Sequence, residues 1–465
     1  MQTFLENRTF DEIQIGESAS LKHTVTENDI KLFAIASGDL NPAHLDAEYA
    51  AKSVFGKPVA HGMWTASLAS AAIGTLLPGP GSIALSQSTH FCKPVYPGDT
   101  VTATLTVTKK ERKKHVILLD TVCTNQSGDI VLEGQATIMA PRKSVRVRAK
   151  TMPGIRLRQH DRYDAFIERA KASPTVRAAI VHPCSAVAIQ GAVEVRDEDL
   201  LDPVLIGPRA KIEAAAKEAG VSLDGFDIIE TEHSHAAATK AVEMAVSGEV
   251  SVLVKGSLHT DELLGAVIAH DSGLRTERRI SHVYAMDIPA YEKPLIVTDA
   301  AVNILPSLDQ KRDICQNAVD LLHQLGVDEP LVAVLAAVET VNADMPATLD
   351  AAALTVMAAR GQISGARVDG PLAFDNAISM AAAKTKGIVS PVAGQADILL
   401  VPDLEAGNML AKQLIYFADA IAAGLILGAR VPIVLTSRAD PLTARIASAA
   451  LARLSVGMTY TKSGS

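Results

Sequence analysis

Residues 60–77 form an apolar run without a single charge, broken only by His61, Thr65, Ser67, Ser70 and Thr75 and rich in Ala and Gly. A helix of this composition has no solvent face, so the reading predicts one buried on all sides. Its hydroxyls and small residues argue against a membrane span. Thr100 to Val107 then alternates, with Val101, Ala103, Leu105 and Val107 on one face and threonines on the other, as a half-buried antiparallel strand does. Residues 116–124 and 130–139 flank Asn125-Gln126-Ser127-Gly128-Asp129, a hairpin loop. One apolar helix followed by an antiparallel meander makes residues 1–140 an α+β domain.

Just before that helix lies Gly38-Asp39-Leu40-Asn41-Pro42-Ala43-His44. Thr26-Glu27-Asn28-Asp29 starts a helix with a capping residue, and Asn41-Pro42 ends it, because the residue before a proline is pushed out of the α region. The turn holds a carboxylate and an imidazole five residues apart. Such a pair can share one water and move its proton. Read blandly, Asp39 is a cap and His44 a surface residue. Pro58-Val59-Ala60-His61-Gly62-Met63 sharpens the reading, because free N–H groups at a helix start can hold a developing oxyanion.

Gly38-Asp39-x-Asn41-Pro42-x-His44 together with His61-Gly62-Met63 resembles the motif of MaoC-type, (R)-specific enoyl-CoA hydratases. The likeness continues through Gly81-Ser82-Ile83 and Phe91-x-Lys93-Pro94-Val95-x-Pro97-Gly98-Asp99, and spans about residues 8–140. It implies a hotdog fold, an antiparallel sheet around a central helix. It implies Asp39 and His44 as the acid–base pair, Gly62 as oxyanion donor, and Asn41 and Ser70 near the substrate.

Residues 141–162 change composition. Arg142, Lys143, Arg146, Arg148, Lys150, Arg156, Arg158 and Arg162 stand there with almost no acidic partner and with Pro153-Gly154 between them. This reads as a basic linker, a solvated connector or an electrostatic aid to a phosphate-bearing ligand.

From residue 163 to 465, short unalternating apolar strands alternate with helices, the pattern of a mainly parallel sheet covered on both faces. About 300 residues exceed one ordinary core, so a two-lobed α/β domain is expected. Strand candidates lie at 179–181, 204–206, 250–254, 295–297, 332–335, 398–401 and 431–435. Ligands of such sheets bind at carboxyl ends of strands. Those ends carry Lys255-Gly256-Ser257-Leu258-His259-Thr260, Thr298-Asp299, Pro402-Asp403 and Thr436-Ser437-Arg438-Ala439-Asp440. Arg275, Arg278 and Arg279 add cations, which with helix-start N–H groups suit phosphate. The chain has no P-loop and no G-x-G-x-x-G, so nucleoside triphosphate and nicotinamide lack their signatures.

As a set, the stretches 255–260, 273–281, 298–303, Asp369 to Asn376, 389–399, 402–408 and 435–438 resemble the phosphate acetyltransferase/phosphate butyryltransferase family, nearer its butyryl-type branch. The likeness implies acyl-CoA + phosphate ⇌ acyl phosphate + CoA, with Ser437 and Arg438 at the reaction centre. It implies Lys255, Ser257, His259, Thr260, Arg275, Arg278, Asp299 and Asp375 at the substrates. Acetyl-type members carry an acidic residue seven positions after the serine, where this chain has Ala444. Asp440, Asp375 and His259 are the alternatives for a base. That departure keeps open a second reading, a non-catalytic acyl-CoA sensor fused to a hydratase.

The expectation is therefore a fusion of two acyl-CoA enzymes, with CoA thioesters and inorganic phosphate as substrates and no bound cofactor or metal. His233-Ser234-His235 lacks a metal-site spacing, and Cys184 has no identifiable catalytic partner. Net charge −8 and 4% aromatics give no case for nucleic acid. Four scattered cysteines and no leader pattern point to a cytoplasmic chain with reduced thiols. The family likeness implies a homo-oligomer, at least a dimer.

Overall fold

The computed structural model describes residues 4–150, 161–435, 440–458 and 460. These fall into two compact units, residues 1–157 and 158–465.

Unit 1 contains β1 (Phe4–Glu6), β2 (Ser18–Thr24), α1 (Glu27–Ser37), α2 (Pro42–Leu45), α3 (Ala47–Lys52) and α4 (Gly62–Thr75). They are followed by β3 (Ile83–Phe91), β4 (Thr100–Glu111), β5 (Val116–Thr124), β6 (Ile130–Met139) and β7 (Arg146–Arg148). Five strands form an antiparallel sheet in the order β2-β4-β5-β6-β3. The alternation along 100–107 is realised: Val101, Ala103, Leu105 and Val107 are buried and pack with Trp64, Leu68, Ala69, Ala72 and Ile73 of α4. Thr26 caps α1 in a capping box with Asp29.

Two expectations need correction. The central helix is not covered on every side. Met63, Ser67, Ser70, Ala71 and Gly74 form an exposed stripe along it, with Met63 59% exposed. One five-stranded sheet wraps one side of a helix, and these residues lie on the other. The basic stretch after residue 140 is also not simply a solvated connector. Its β7 pairs antiparallel with β1, and Arg146 meets Glu6 at 2.9 Å. Arg156 and Arg158 lie outside the described residues. β3 is not legible from alternation, because it is exposed along most of its length, and β2 turns only Ala19 and Leu21 inward, both half-buried.

Unit 2 contains α5 (Asp161–Lys171), β8 (Val176–Val181), α6 (Ala186–Asp197), β9 (Leu201–Gly207), α7 (Arg209–Ala219), β10 (Asp227–Glu230), α8 (Ser234–Ser247), β11 (Val252–Lys255) and α9 (Thr260–Ile268). It continues with β12 (Ser281–Asp287), β13 (Leu295–Thr298), α10 (Leu308–Gln324), β14 (Leu331–Leu335), α11 (Pro346–Ala359), β15 (Arg367–Leu372), α12 (Phe374–Ile378) and α13 (Met380–Thr385). The last elements are β16 (Ile398–Leu400), α14 (Leu404–Phe417), β17 (Ile421–Leu427), β18 (Ile433–Val434) and α15 (Leu442–Ser455).

The eleven strands make one sheet, β10-β9-β8-β11-β18-β17-β12-β13-β16-β14-β15. A parallel block runs from β10 to β18 and another from β13 to β15. Antiparallel β17 and β12 join the blocks. The two expected lobes are thus halves of one mixed sheet. α14 stops at Phe417, and the Ala/Gly-rich 421–427, absent from the expected strands, is a central strand. Small residues suit it because α15 packs against it.

Candidate functional sites

In unit 1, Gly38 ends α1 with φ 76°, a left-handed C-cap that glycine adopts without strain. Pro42 opens α2, and Asn41 caps it by accepting from Ala43 N–H at 3.1 Å. His44 then sits in the last turn of α2. Its Nδ1 lies 2.8 Å from the Val59 carbonyl, which can only accept. Nδ1 therefore carries the proton and Nε2 presents a lone pair.

His61 was absent from the sequence-derived site, and it joins that site here. Its Nε2 donates to the Asp39 carbonyl at 3.0 Å, and its ring lies on the His44 ring with centroids 3.8 Å apart. It is 2% exposed, and burial holds it below the usual histidine range, with its hydrogen bond to the Asp39 carbonyl opposing the shift. One ligand-type atom from each of Asp39, His44 and His61 lies within 4.8 Å of the others. The expected pair is thus brought together in space.

His61 is also the residue before α4, so Gly62 is its first residue and has no helical acceptor for its N–H. A Cβ at Gly62 would lie 2.9 Å from the Phe91 ring. Ser70 lies two turns further along α4, on its open stripe. His44 borders a cavity of about 300 Å³ with Ile30, Leu45 and Pro97 and the cations Lys31 and Lys57. This assembly can polarise one water, and the cavity beside it sets the carboxylate of Glu27 among those two cations.

In unit 2, Ser437 and Arg438 lie outside the described residues; the flanks of their loop do not. Val434 on one flank and Arg445 and Ala449 on the other border a small cavity of about 60 Å³ with Lys255, Ser257 and Ser185. The Ser257 and Ser185 hydroxyls are 2.9 Å apart. Two cations and two hydroxyls thus face an apolar floor that includes Ile180, Ala192 and Leu201.

His259 and Thr260 start α9, and the His259 N–H donates to Glu262 at 3.2 Å. Arg275 and Arg278 come together with Arg279 around a second cavity of about 290 Å³. Arg278, 8% exposed, pairs with Asp320 at 3.5 Å, and burial raises the Asp320 carboxyl despite that partner.

Two expected residues are placed elsewhere. Asp299 is 3% exposed, and its carboxylate accepts from His282, Ala301 and Val302 N–H and from Asn303 Nδ2, at 2.6–3.1 Å. Four internal donors occupy the oxygens that a substrate would need. Asp375, at the start of α12, pairs with Lys386 at 3.2 Å, and this pairing lowers its carboxyl. His233 accepts from Ala236 N–H as the cap of α8.

His282 and Tyr284 carry no motif or spacing that marks them in the sequence. Burial drives the His282 imidazole down to about 4, with Asp299 opposing the shift. Its ring meets Tyr284 edge-on at 4.4 Å. Burial first, then the Asp440 charge, raises the Tyr284 hydroxyl to about 12. Opposite them Gly424 leaves no room: a Cβ there would lie 2.9 Å from the Leu435 carbonyl and 3.3 Å from His282 Nε2. The Leu435 end of the loop therefore lies against this strand pair. Ala444, at the position acidic in acetyl-type enzymes, is buried in α15.

Residues 234–453 match the family model described as "Phosphate acetyl/butaryl transferase", and residues 12–126 match "MaoC like domain". The phosphate acetyltransferase of Rickettsia prowazekii (strain Madrid E) is 56% identical over 295 residues, 63% of this chain and 84% of that protein. The chain belongs to the phosphate acetyl/butyryl transferase family. It carries a MaoC like domain as well, on the amino-terminal side. The phosphate butyryltransferase of Clostridium beijerinckii is 38% identical over 292 residues, 63% of this chain and 97% of that protein. A "Probable phosphate butyryltransferase" of Bacillus subtilis is 50% identical over 226 residues, 49% of this chain and 76% of that protein, so relatives named for both branches lie at high identity. A branched-chain phosphotransacylase from Enterococcus faecalis V583 aligns with TM-score 0.55 and 29% identity, over 61% of this chain and all of that one. Among the described residues no helix is long and apolar enough to cross a membrane.

Proposed function

We propose that the chain is a bifunctional acyl-CoA enzyme, hydrating trans-2-enoyl-CoA in unit 1 and transferring acyl groups between CoA and phosphate in unit 2. The observation that carries the first reaction is the convergence of Asp39 and His44, with the His44 tautomer set by Val59. Asp39 and Nε2 of His44 hold one water. Its oxygen adds to C3, a water proton passes to the pair, and a proton is delivered to C2, so one water is added overall. The Gly62 N–H faces the thioester oxygen while charge develops on it. In unit 2 a phosphate oxygen attacks the thioester carbonyl carbon, the C–S bond breaks, and CoA leaves as thiol after protonation. Ser437 and Arg438 act at that centre, with Lys255, Ser257, Arg275 and Arg278 on the substrates' anionic groups. Identity of 56% to a protein named phosphate acetyltransferase does not favour the sensor reading.

A dimer accords with the open stripe of α4 and with β3, an edge strand that exposes Ile83, Leu85 and Phe91. Free cysteines, one of them exposed, accord with a reducing, cytoplasmic setting. The test uses crotonyl-CoA hydration and phosphate-dependent CoA release on one preparation. Asp39→Asn and His44→Ala are expected to lower hydration by roughly 10²–10⁴ and to leave CoA release unchanged. Unchanged hydration in both variants would remove the acid–base assignment. Absent CoA release from the wild type across acyl chain lengths would return unit 2 to the sensor reading.

A further inference from the structure

A cavity of about 350 Å³ in unit 2 lies apart from the Lys255 and Arg275 cavities. Phe166 of α5, Ala285 and Met286 of β12, Leu322 of α10, and Ala447 and Leu451 of α15 form much of its wall. An apolar cavity of about 150 Å³ holds benzene, so this one has room for a chain of about eight carbons.

Its mouth is charged. Arg162 pairs with Asp287 at 2.6 Å, and Lys293 with Asp397 at 2.6 Å. Arg169 completes the set, and its guanidinium donates to the Leu325 carbonyl at 2.7 Å. Among the described residues Arg169 has no carboxylate partner. Among the described residues of the wall, three cations face two carboxylates, so positive charge is in excess beside an apolar pocket. The complementary ligand is an apolar chain ending in one negative charge.

The position of α15 links this cavity to the transfer site. Ala447 and Leu451 face it, whereas Arg445 and Ala449 face the cavity that holds Lys255 and Ser257. Two residues along a helix turn the side chain by about 200°, so the helix is a wall common to both. The loop carrying Ser437 and Arg438 leads into its first turn.

We propose that this cavity binds a medium-chain carboxylate, whose chain packs behind α15 and whose head meets Arg169, and that occupancy changes acyl transfer. The coupling rests on the transferase reading above; the binding does not. The probes are sodium octanoate and 1-octanol, titrated calorimetrically into the full chain. One saturable octanoate site per chain is expected. Leu325→Trp and Ala285→Leu, which enlarge two side chains of its wall, are each expected to weaken it at least tenfold. Arg169→Ala is expected to reduce the preference for octanoate over octanol at least fivefold. Saturating octanoate is expected to change the transfer rate at least twofold in a way that excess acyl-CoA does not reverse, and to leave Leu325→Trp unaffected. Undiminished binding in both filled variants, or no saturable site, would overturn the binding. An unchanged transfer rate at saturation would overturn the coupling. A wild type without any transfer would count against the transferase reading and leave the calorimetric result to stand on its own.

Discussion

Gly62→Ala gives a direct test of the hydration geometry. The added Cβ would meet three Phe91 ring atoms at 2.9, 3.1 and 3.2 Å. Carbon pairs rest at about 3.5 Å or more, so the ring or the start of α4 must yield by about 0.6 Å. Phe91 is 49% exposed and can swing partly outward, which puts the loss of stability near the low end of the range for overpacking, about 1 kcal/mol. The residual shift falls on Gly62 itself. If its N–H holds the thioester oxygen, misplacing it is expected to lower kcat for crotonyl-CoA hydration by roughly 10²–10³, about 3–4 kcal/mol of transition-state stabilisation. The assay measures hydration kinetics and thermal melting in parallel, with phosphate-dependent CoA release as the internal control. Adding Phe91→Ala removes the obstructing ring and should restore hydration at least tenfold. Wild-type kcat in Gly62→Ala, or no recovery in the double variant, would refute the argument.

Gly424→Ala is expected to lower acyl transfer at least about 10²-fold while hydration persists, because its Cβ displaces the Leu435 carbonyl at the start of the Ser437 loop; CoA release assayed beside hydration checks this. Arg278→Ala should destabilise unit 2 by about 3–5 kcal/mol, since it leaves the Asp320 carboxylate without its buried partner, and Asp320→Asn in addition should recover part of that in denaturant titrations. His282 is neutral in the fold, with its value near 4, below the ordinary 6.5 of the unfolded chain. Between pH 6.5 and 4 the unfolded state therefore binds a proton that the folded state does not. Stability contributed by the neutral form is present above 6.5 and is lost as pH falls, on the order of 3 kcal/mol in all. His282→Phe should flatten that slope in melting curves of unit 2 taken across this range.

Local chemistry accounts for what could be read early. Alternating Val101, Ala103, Leu105 and Val107 can bury one face in only one way, and Thr26 with Asp29 marks a helix start within four residues. Asp39 and His44 were legible as a pair because their spacing is local and proline and glycine punctuate it, and Gly62 because it stands at the start of an apolar helix. β3 escaped because a strand exposed along most of its length shows no alternation, and β2 because only Ala19 and Leu21 turn inward, a face too short to mark a strand. β17 escaped because Ala420 to Gly424 favours a helix until packing against α15 and pairing with β12 decide otherwise.

By itself the sequence determined two units, their fold classes and the residues able to bear acid–base and anion-binding chemistry, because these depend on periodicity and short spacings. The tertiary structure alone decided which of those residues meet. It placed His61 against His44 from 17 positions away, closed four donors on Asp299, and set His282 and Tyr284 opposite Gly424. Long-range contact arises from strand order and helix packing, which leave no local mark on the chain.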